Sequence, residues 1–204
     1  MFFKNEYKGD EMQNALIVLV GPSAIGKTYW SDQLLKKPKG MLKRVKNTTT
    51  RPPRDEIDKL SYEFISKEEF EKKIQKGKFL EYDSYLGNYY GSSLDNIRAV
   101  LKNHCGIFAL TPKGVKALYA YRKEIPLAIL LLVPHSKEVL MINYARRGIN
   151  DPKKQQELFK KAKKFKLPKK IPHIIIPITG SSTDGMLIKS AILGELLKYQ
   201  RPLT

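Results

Sequence analysis

Short apolar runs alternate along the chain with stretches in which apolar residues recur every three or four positions. The runs at residues 15–20, 106–110, 127–133 and 174–178 are nearly continuous, a pattern typical of strands buried on both faces of a sheet. The stretches between them have the period of amphipathic helices. This alternation predicts an α/β fold in which a parallel sheet is covered by helices on both faces.

The helices and the shorter strands follow from the same pattern. Helices are predicted at residues 28–35, after Ser66, at 94–101, at 112–121, after Ser136, at 153–165 and at 187–192, and short strands at 42–46, 79–82 and 88–90. Ser66 and Glu69 fit a capping box, and Ser136 is expected to cap the helix that follows it. The last helix is expected to bury a stripe made of Leu187, Ile188, Ala191 and Ile192.

Length and composition narrow the class of protein. With 204 residues, 42% of them hydrophobic, the chain can build one substantial core. Its single cysteine, Cys105, cannot form an internal disulfide, which favours a reducing, cytoplasmic location. The longest apolar run, residues 127–133, has the length of a strand, so no membrane partner is expected. Residues 1–13 are predicted to be an N-terminal extension.

The chain is strongly basic, with 38 Lys and Arg residues against 20 Asp and Glu and a net charge of +18. Such a charge attracts polyanions. Many lysines lie in residues 153–170, which we interpret as a solvated helix face that raises the local concentration of anions. This stretch lacks the regular aromatic interleaving of single-strand binders, so nucleic acid is not the expected partner. The sequence leaves the oligomeric state open and allows an oligomer.

Residues 21–28 match the phosphate-binding P-loop pattern in full, between a predicted strand and a predicted helix. Glycines let the backbone N–H groups point at phosphate, and the start of the helix adds partial positive charge. We expect an ATP site in which Lys27 contacts the β- and γ-phosphates and Thr28 holds Mg²⁺. The residues of this site are Gly21, Pro22, Ser23, Ala24, Ile25, Gly26, Lys27 and Thr28.

A second candidate phosphate site follows, in which Arg51 and Arg54 flank two prolines. Guanidinium groups bind phosphate through paired hydrogen bonds, and proline limits their movement. Tyr62, Glu81 and Tyr90 come next along the chain. Taken singly, each of these three is also common as a packing or surface residue.

The order of these motifs resembles the guanylate kinase family. The motifs are the P-loop, Arg51-Pro-Pro-Arg54, Tyr62-Glu-Phe, Glu68-Glu-Phe70, Phe79-Leu-Glu81 and Gly87-Asn-Tyr-Tyr90-Gly-Ser92. The resemblance includes specific motifs over residues 16–92, whereas beyond them it is limited to the order of strands and helices. It implies a P-loop NTPase-like core (residues 14–46, 101–140 and 167–204), an inserted small subdomain that binds the nucleoside monophosphate (47–100) and a helical lid (141–166).

The resemblance also implies roles for individual residues in phosphoryl transfer from ATP to GMP or dGMP. The acceptor phosphate would be held by Arg51, Arg54, Tyr62 and Tyr90, and Asn47, which stands where the family has a serine, would add a hydrogen-bonding group to the substrate site. Glu81 would accept hydrogen bonds from guanine N1–H and the 2-amino group, Ser92 would meet O6, and Thr111 would offer a hydroxyl to the base. The residues acting on the transferred group would be Lys27, Arg51, Arg54 and the lid arginine Arg147.

Several positions depart from the family pattern and keep alternatives open. Ala109 and Thr111 stand where the family carries an Asp pair, Asn143 stands at a lid arginine position, and the asparagine after the last core strand falls on or near Pro177. The alternatives are a kinase for another nucleotide or a sugar phosphate, and a catalytically silent binding module. The intact Lys27-Thr28 pair argues against the silent module.

Overall fold

The structure is a computed structural model that describes residues 14–36, 42–53, 56, 58–85 and 87–198. The elements in chain order are β1 (Leu16–Val20), α1 (Lys27–Leu35), β2 (Leu42–Arg44), β3 (Asn47–Thr49), α2 (Asp58–Ser61), β4 (Tyr62–Phe64), α3 (Lys67–Gln75), β5 (Phe79–Tyr85), β6 (Asn88–Ser93), α4 (Leu94–Leu101), β7 (Cys105–Leu110), α5 (Pro112–Tyr119), β8 (Leu127–Pro134), α6 (Lys137–Arg146), α7 (Pro152–Lys163), β9 (Ile174–Ile178) and α8 (Asp184–Leu197). The predicted alternation of strands and helices is confirmed.

The main sheet has five strands in the order β2-β7-β1-β8-β9, and all neighbouring strands run parallel. Its central strand, β1, is buried at every residue. Ile17 and Leu19 pack into one apolar cluster with α1, α6, α7 and α8, whereas Leu16, Val18 and Val20 pack into another with α4 and α5. Both faces of β1 are therefore covered, which explains why its sequence is apolar without alternation.

A second, smaller sheet has the order β4-β3-β6-β5. In this sheet β3 pairs parallel with β4 and antiparallel with β6, and β5 pairs antiparallel with β6. Phe70 of α3 is fully buried and stacks on Phe79 and Tyr89, which fixes the helix against the sheet. All four strands lie between residues 47 and 93, and the boundaries predicted for the core, the subdomain and the lid stay predictions.

Some local predictions need correction. Sequence reasoning missed β3, α2 and β4, because elements of three or four residues are too short to show a period, and the two strands are ordered by pairing with residues distant in sequence. Ser136 occupies the N-cap position of α6, but its hydroxyl accepts no hydrogen bond from the helix backbone. Leu187 is 46% exposed, so the predicted apolar stripe of α8 is wrong at that residue.

Pro177 lies inside β9, opposite Val133, and not after the strand. Proline has no N–H for a sheet ladder, but β9 is an edge strand and needs hydrogen bonds on one side only. The first residue after the strand is Thr179, which therefore takes the position that was predicted to fall on or near Pro177. Among the described residues, no helix combines the length and the apolar character needed to cross a membrane.

Candidate active site

The P-loop leaves the carboxyl end of β1 at the middle of the main sheet. Val20, the last residue of β1, pairs with Leu110, the last residue of the adjacent strand β7. Gly21 and Thr111 therefore emerge side by side at the same edge. In open parallel sheets, ligands usually bind at the carboxyl ends of the strands, at the point where the order of the strands reverses.

The backbone of the P-loop has the shape of a phosphate cradle. A Cβ atom at Gly21 would lie 2.7 Å from the carbonyl oxygen of Leu132, so only glycine fits there. Gly26 has φ +98° and Ala24 has φ +63°, both in the left-handed region. This conformation turns successive N–H groups toward one side. Gly26 caps α1 without a side-chain hydrogen bond, which leaves the first N–H groups of the helix available to an anion.

Lys27 folds back over this loop. Its Nζ donates to the carbonyl oxygens of Gly21 at 2.8 Å and Pro22 at 2.9 Å. Burial, with a smaller contribution from the nearby charge of Arg147, lowers the pKa of Lys27 to about 8. A phosphate group would favour the charged form of this amine, so the position suits an anionic ligand.

A cleft of about 880 Å³ adjoins the P-loop and is lined by α1, α6 and residues 178–186. Arg146 and Arg147 of the α6 end line it, and Asn143 donates from Nδ2 to the carbonyl oxygen of Ala24 at 2.9 Å. The asparagine at the expected lid arginine position thus ties α6 to the P-loop. The cleft is large enough for a nucleoside.

Asp184, at the start of α8, shapes the far wall of this cleft and was not singled out from the sequence. Its fully buried carboxylate accepts hydrogen bonds from the N–H groups of Thr179 and Gly180 and from the Thr179 hydroxyl, at 2.7–3.1 Å. These bonds hold the loop between β9 and α8. The sequence signal for it is an acidic residue at the start of a predicted helix, a common position with many explanations.

Arg51 is buried in the second sheet region, with only 7% of its surface exposed. Its two terminal nitrogens bind the two carboxylate oxygens of Asp58, and Nη2 lies 2.7 Å from Oδ1. The guanidinium lies 4.8 Å from the ring centroid of Tyr62 and 5.5 Å from that of Phe64. The hydrogen bond to Asp58, more than the opposing effect of burial, raises the pKa of Arg51.

Tyr62 and Tyr90 lie beside this arginine, with their ring centroids 6.4 Å apart and their planes at 72°. Three residues predicted to hold the acceptor phosphate, Arg51, Tyr62 and Tyr90, are thus brought together by β4, β6 and the turn after β3. Arg54, the fourth, lies outside the described residues. The role of all four toward phosphate stays a prediction.

The residues predicted to read the base form a hydrogen-bonded row. Ser92 Oγ donates to Asn47 Oδ1 at 2.9 Å and approaches Glu81 Oε1 at 3.5 Å. Thr111 Oγ1 donates to Glu81 Oε2 at 3.0 Å. The row runs from the second sheet to the end of β7, so it places Glu81 at the same sheet edge as the P-loop.

Glu81 is half-buried, and this burial raises its pKa, although hydrogen bonds from Thr111 and Ser92 and the charge of Lys113 act in the opposite direction. Its carboxylate lies against the first turn of α5. A Cβ at Gly114 would come within 2.5 Å of Glu81 Oε1. Gly114 is therefore a functional candidate that the sequence patterns did not single out.

The site offers few protein ligands for a metal ion. Among the described residues, no group of three or more His, Cys, Asp or Glu side chains could hold a metal ion. Ala109 lies within β7 and offers no ligand, whereas Thr28 is exposed in the first turn of α1. Mg²⁺ commonly keeps several waters and binds phosphate oxygens with only one or two protein groups. A single threonine hydroxyl is compatible with that chemistry.

Comparison with known proteins agrees with this geometry. The sequence profile described as guanylate kinase matches residues 13–175. A guanylate kinase of Symbiobacterium thermophilum is 39% identical over 140 residues, which make up 67% of this chain and 64% of the length of that relative. A guanylate kinase of Bartonella henselae is 30% identical over 205 residues, or 98% of this chain and 91% of the relative.

A solved structure shares the fold as well. The crystal structure of guanylate kinase from Anaplasma phagocytophilum superposes with a TM-score of 0.58 at 19% sequence identity, covering 95% of this chain and 89% of that one. The profile match alone spans well over half of the chain and includes the whole second sheet, and the match to the Bartonella henselae relative covers 98% of the chain. The resemblance seen in the motifs is confirmed: the chain belongs to the guanylate kinase family.

Proposed function

We propose that this protein transfers the γ-phosphoryl group of ATP to GMP or dGMP, giving ADP and the nucleoside diphosphate, with Mg²⁺ as the metal. The observation that carries the proposal is the position of Glu81. A half-buried carboxylate, held by Ser92 and Thr111, lies at the sheet edge from which the P-loop emerges. Guanine presents two adjacent N–H donors, which match the two acceptor oxygens of such a carboxylate. The corresponding edge of adenine carries an acceptor, which a carboxylate cannot bind.

The donor nucleotide would use the P-loop and the adjoining cleft. The N–H groups of the loop and of the first turn of α1 would bind the triphosphate, and Lys27 would exchange its two carbonyl partners for phosphate oxygens. The nucleoside would occupy the cleft between α1 and residues 179–186. Bound Mg²⁺, with Thr28 as a protein ligand, would neutralise phosphate charge.

The transfer itself needs no strong general base from the protein. The acceptor is a phosphate oxygen that is already anionic near neutral pH, so alignment and charge neutralisation supply most of the rate. Arg51 and Arg54 would hold the acceptor phosphate in line. Lys27 and Arg147 would balance the charge that develops on the transferred group, and the effect of Arg147 on the pKa of Lys27 supports their proximity.

The remaining proposals concern the cellular location of the enzyme and its binding partners. A cytoplasmic location is proposed from the single cysteine, Cys105. Small nucleotides are the proposed partners, and neither nucleic acid nor an oligomeric state is required by the site.

The test is ADP release from ATP and Mg²⁺ with GMP, dGMP, AMP, UMP, CMP and ribose phosphates as acceptors. GMP-dependent release is expected, and Lys27→Ala should abolish it, because the triphosphate loses its buried cation. Lys116→Ala, which removes an exposed lysine of α5, is the matched control and should keep activity. Turnover with another acceptor would move the function to that substrate, and nucleotide binding without turnover would leave a binding module.

A further inference from the structure

The guanidinium of Arg51 is only partly paired. Of its five N–H donors, two reach the carboxylate of Asp58 and one reaches the carbonyl oxygen of Pro52 at 2.9 Å. Nε is buried and has no hydrogen-bond partner within the part of the chain that the structure describes. A buried donor without a partner is costly, so its presence points to a ligand that completes it.

The geometry of the group shows which side is open. A planar guanidinium offers a fork made by its two terminal nitrogens and a second fork made by Nε and one terminal nitrogen. Asp58 fills the first fork with both of its oxygens. The second fork, which includes Nε, suits a bidentate anion such as phosphate.

The surroundings prevent the group from turning. Tyr62 and Phe64 of β4 lie within 4.8 and 5.5 Å of the guanidinium carbon, measured to the ring centroids. Asp58 is itself largely buried, with 13% of its side chain exposed, at the start of α2. The plane of Arg51 is therefore fixed on one side by aromatic rings and at its end by the carboxylate.

We propose that Asp58 is a positioning residue that holds Arg51 by its terminal nitrogens so that the Nε side receives the phosphate of the acceptor nucleotide. This inference rests on the proposed function, because the ligand is the acceptor of that reaction. An alternative explanation of the ion pair is that Asp58 mimics the phosphate and competes with it. The two explanations predict opposite changes in acceptor binding when Asp58 is removed. Removing a competitor would tighten acceptor binding, whereas removing a positioning residue weakens it.

The experiment compares the wild type with Asp58→Asn, which keeps the shape and removes the charge. We expect the KM for GMP to rise roughly tenfold or more, since a charged bidentate contact loses its alignment. The KM for ATP should stay unchanged. Inhibition by guanosine, which lacks the phosphate, should also stay unchanged and shows that the base site is folded. Asp95→Asn, which breaks an exposed ion pair with Lys78, is the matched control.

A double-mutant cycle with Arg51→Lys tests whether Asp58 acts through Arg51. If it does, adding Asp58→Asn to Arg51→Lys should cause little further loss of GMP binding.

A KM for GMP that is unchanged or lower in Asp58→Asn, with normal guanosine inhibition, would overturn the inference. If Asp58→Asn does not fold, Asp58→Glu is the second variant, and calorimetry should show that it still binds GMP. Equal losses of affinity for GMP and for guanosine in Asp58→Glu would overturn the inference. Absence of GMP-dependent turnover in the wild type would instead contradict the proposed function, and calorimetry with GMP and guanosine would still test Asp58.

Discussion

At the scale of single residues, the surroundings of Glu81 fix the position of the carboxylate that is proposed to bind guanine. Burial raises its pKa, and two hydroxyl groups hold its oxygens. Gly114 makes room for it, because the carboxylate lies where a side chain at that position would begin. Thr111 both donates to Glu81 and caps α5 by accepting from the N–H of Gly114 at 3.1 Å. The geometry of the proposed base site is thus linked to the start of α5.

We therefore predict a specific effect of Gly114→Ala. The new Cβ would displace the Glu81 carboxylate, which is the movable end of a side chain, so the fold should tolerate the change. The KM for GMP should rise roughly tenfold or more, because the base then loses a buried hydrogen-bond partner. Steady-state kinetics with GMP and ATP as varied substrates measures it, and the KM for ATP should not change.

Gly194→Ala is the control for this prediction. Gly194 lies on the exposed side of α8, and a Cβ there would meet nothing within 4 Å. The substitution should leave both KM values unchanged and should stabilise the helix, since alanine is the better helix former. An unchanged KM for GMP in Gly114→Ala would show that Glu81 does not contact the base.

At the scale of elements, two helices begin with serine but use it differently. The Ser66 hydroxyl accepts from the N–H of Glu69 at 3.1 Å and caps α3. Ser136 occupies the equivalent position of α6, yet its hydroxyl bonds the Glu138 side chain, which lowers the pKa of that carboxyl, and does not cap the helix backbone. A serine at the N-cap position therefore does not by itself decide whether its hydroxyl caps the helix backbone.

The two serines make a matched pair for a stability test. Ser66→Ala should lower the free energy of unfolding by about 1 kcal/mol, the usual loss when a capping hydroxyl is removed. Ser136→Ala should cost clearly less, because no helix N–H loses its partner. The shift of the urea midpoint at equal slope is the measurement. Equal losses in the two variants would contradict the assignment of the caps.

At the scale of the whole molecule, positive charge is concentrated on one exposed region. Residues 153–170 contain nine lysines and one glutamate, and all nine lysines are exposed. The single glutamate, Glu157, pairs with Lys161 at 2.7 Å. These residues form α7 and the segment after it, and α7 packs against α6, whose last residues line the nucleotide cleft. We therefore expect the field of this region to extend over the cleft that is proposed to bind the donor nucleotide.

The charge predicts a dependence of substrate capture on salt. The kcat/KM for ATP should fall as ionic strength rises, because screening shortens the range of the attraction. A triple variant with Lys153→Gln, Lys160→Gln and Lys164→Gln should have a shallower dependence than the wild type. Lys67→Gln, Lys72→Gln and Lys76→Gln in the α3 region remove the same charge elsewhere and should change the slope less. Equal slopes for both triple variants would show that only net charge matters.

The resemblance was carried by motifs whose residues are close together in the sequence. The P-loop could be predicted because its chemistry needs residues at fixed spacing between a strand and a helix, and both are where they were expected. The continuous apolar runs predicted strands covered on two sides, and β1 divides its side chains between two clusters as expected. Local spacing and periodicity are properties of the chain itself, so a parallel α/β fold follows from them.

Tertiary structure decided which distant side chains meet. The hydrogen bonds of Asn47 with Ser92, Thr111 with Glu81 and Asn143 with Ala24 join residues 30–119 positions apart. The pairing of Arg51 with Asp58 depends on α2, a helix of four residues without a recognisable period. The sequence by itself determined the phosphate cradle and the order of the strands and helices that build the main sheet. The orientation of Arg51 and Glu81 was decided only by folding, because the groups that hold them belong to other elements.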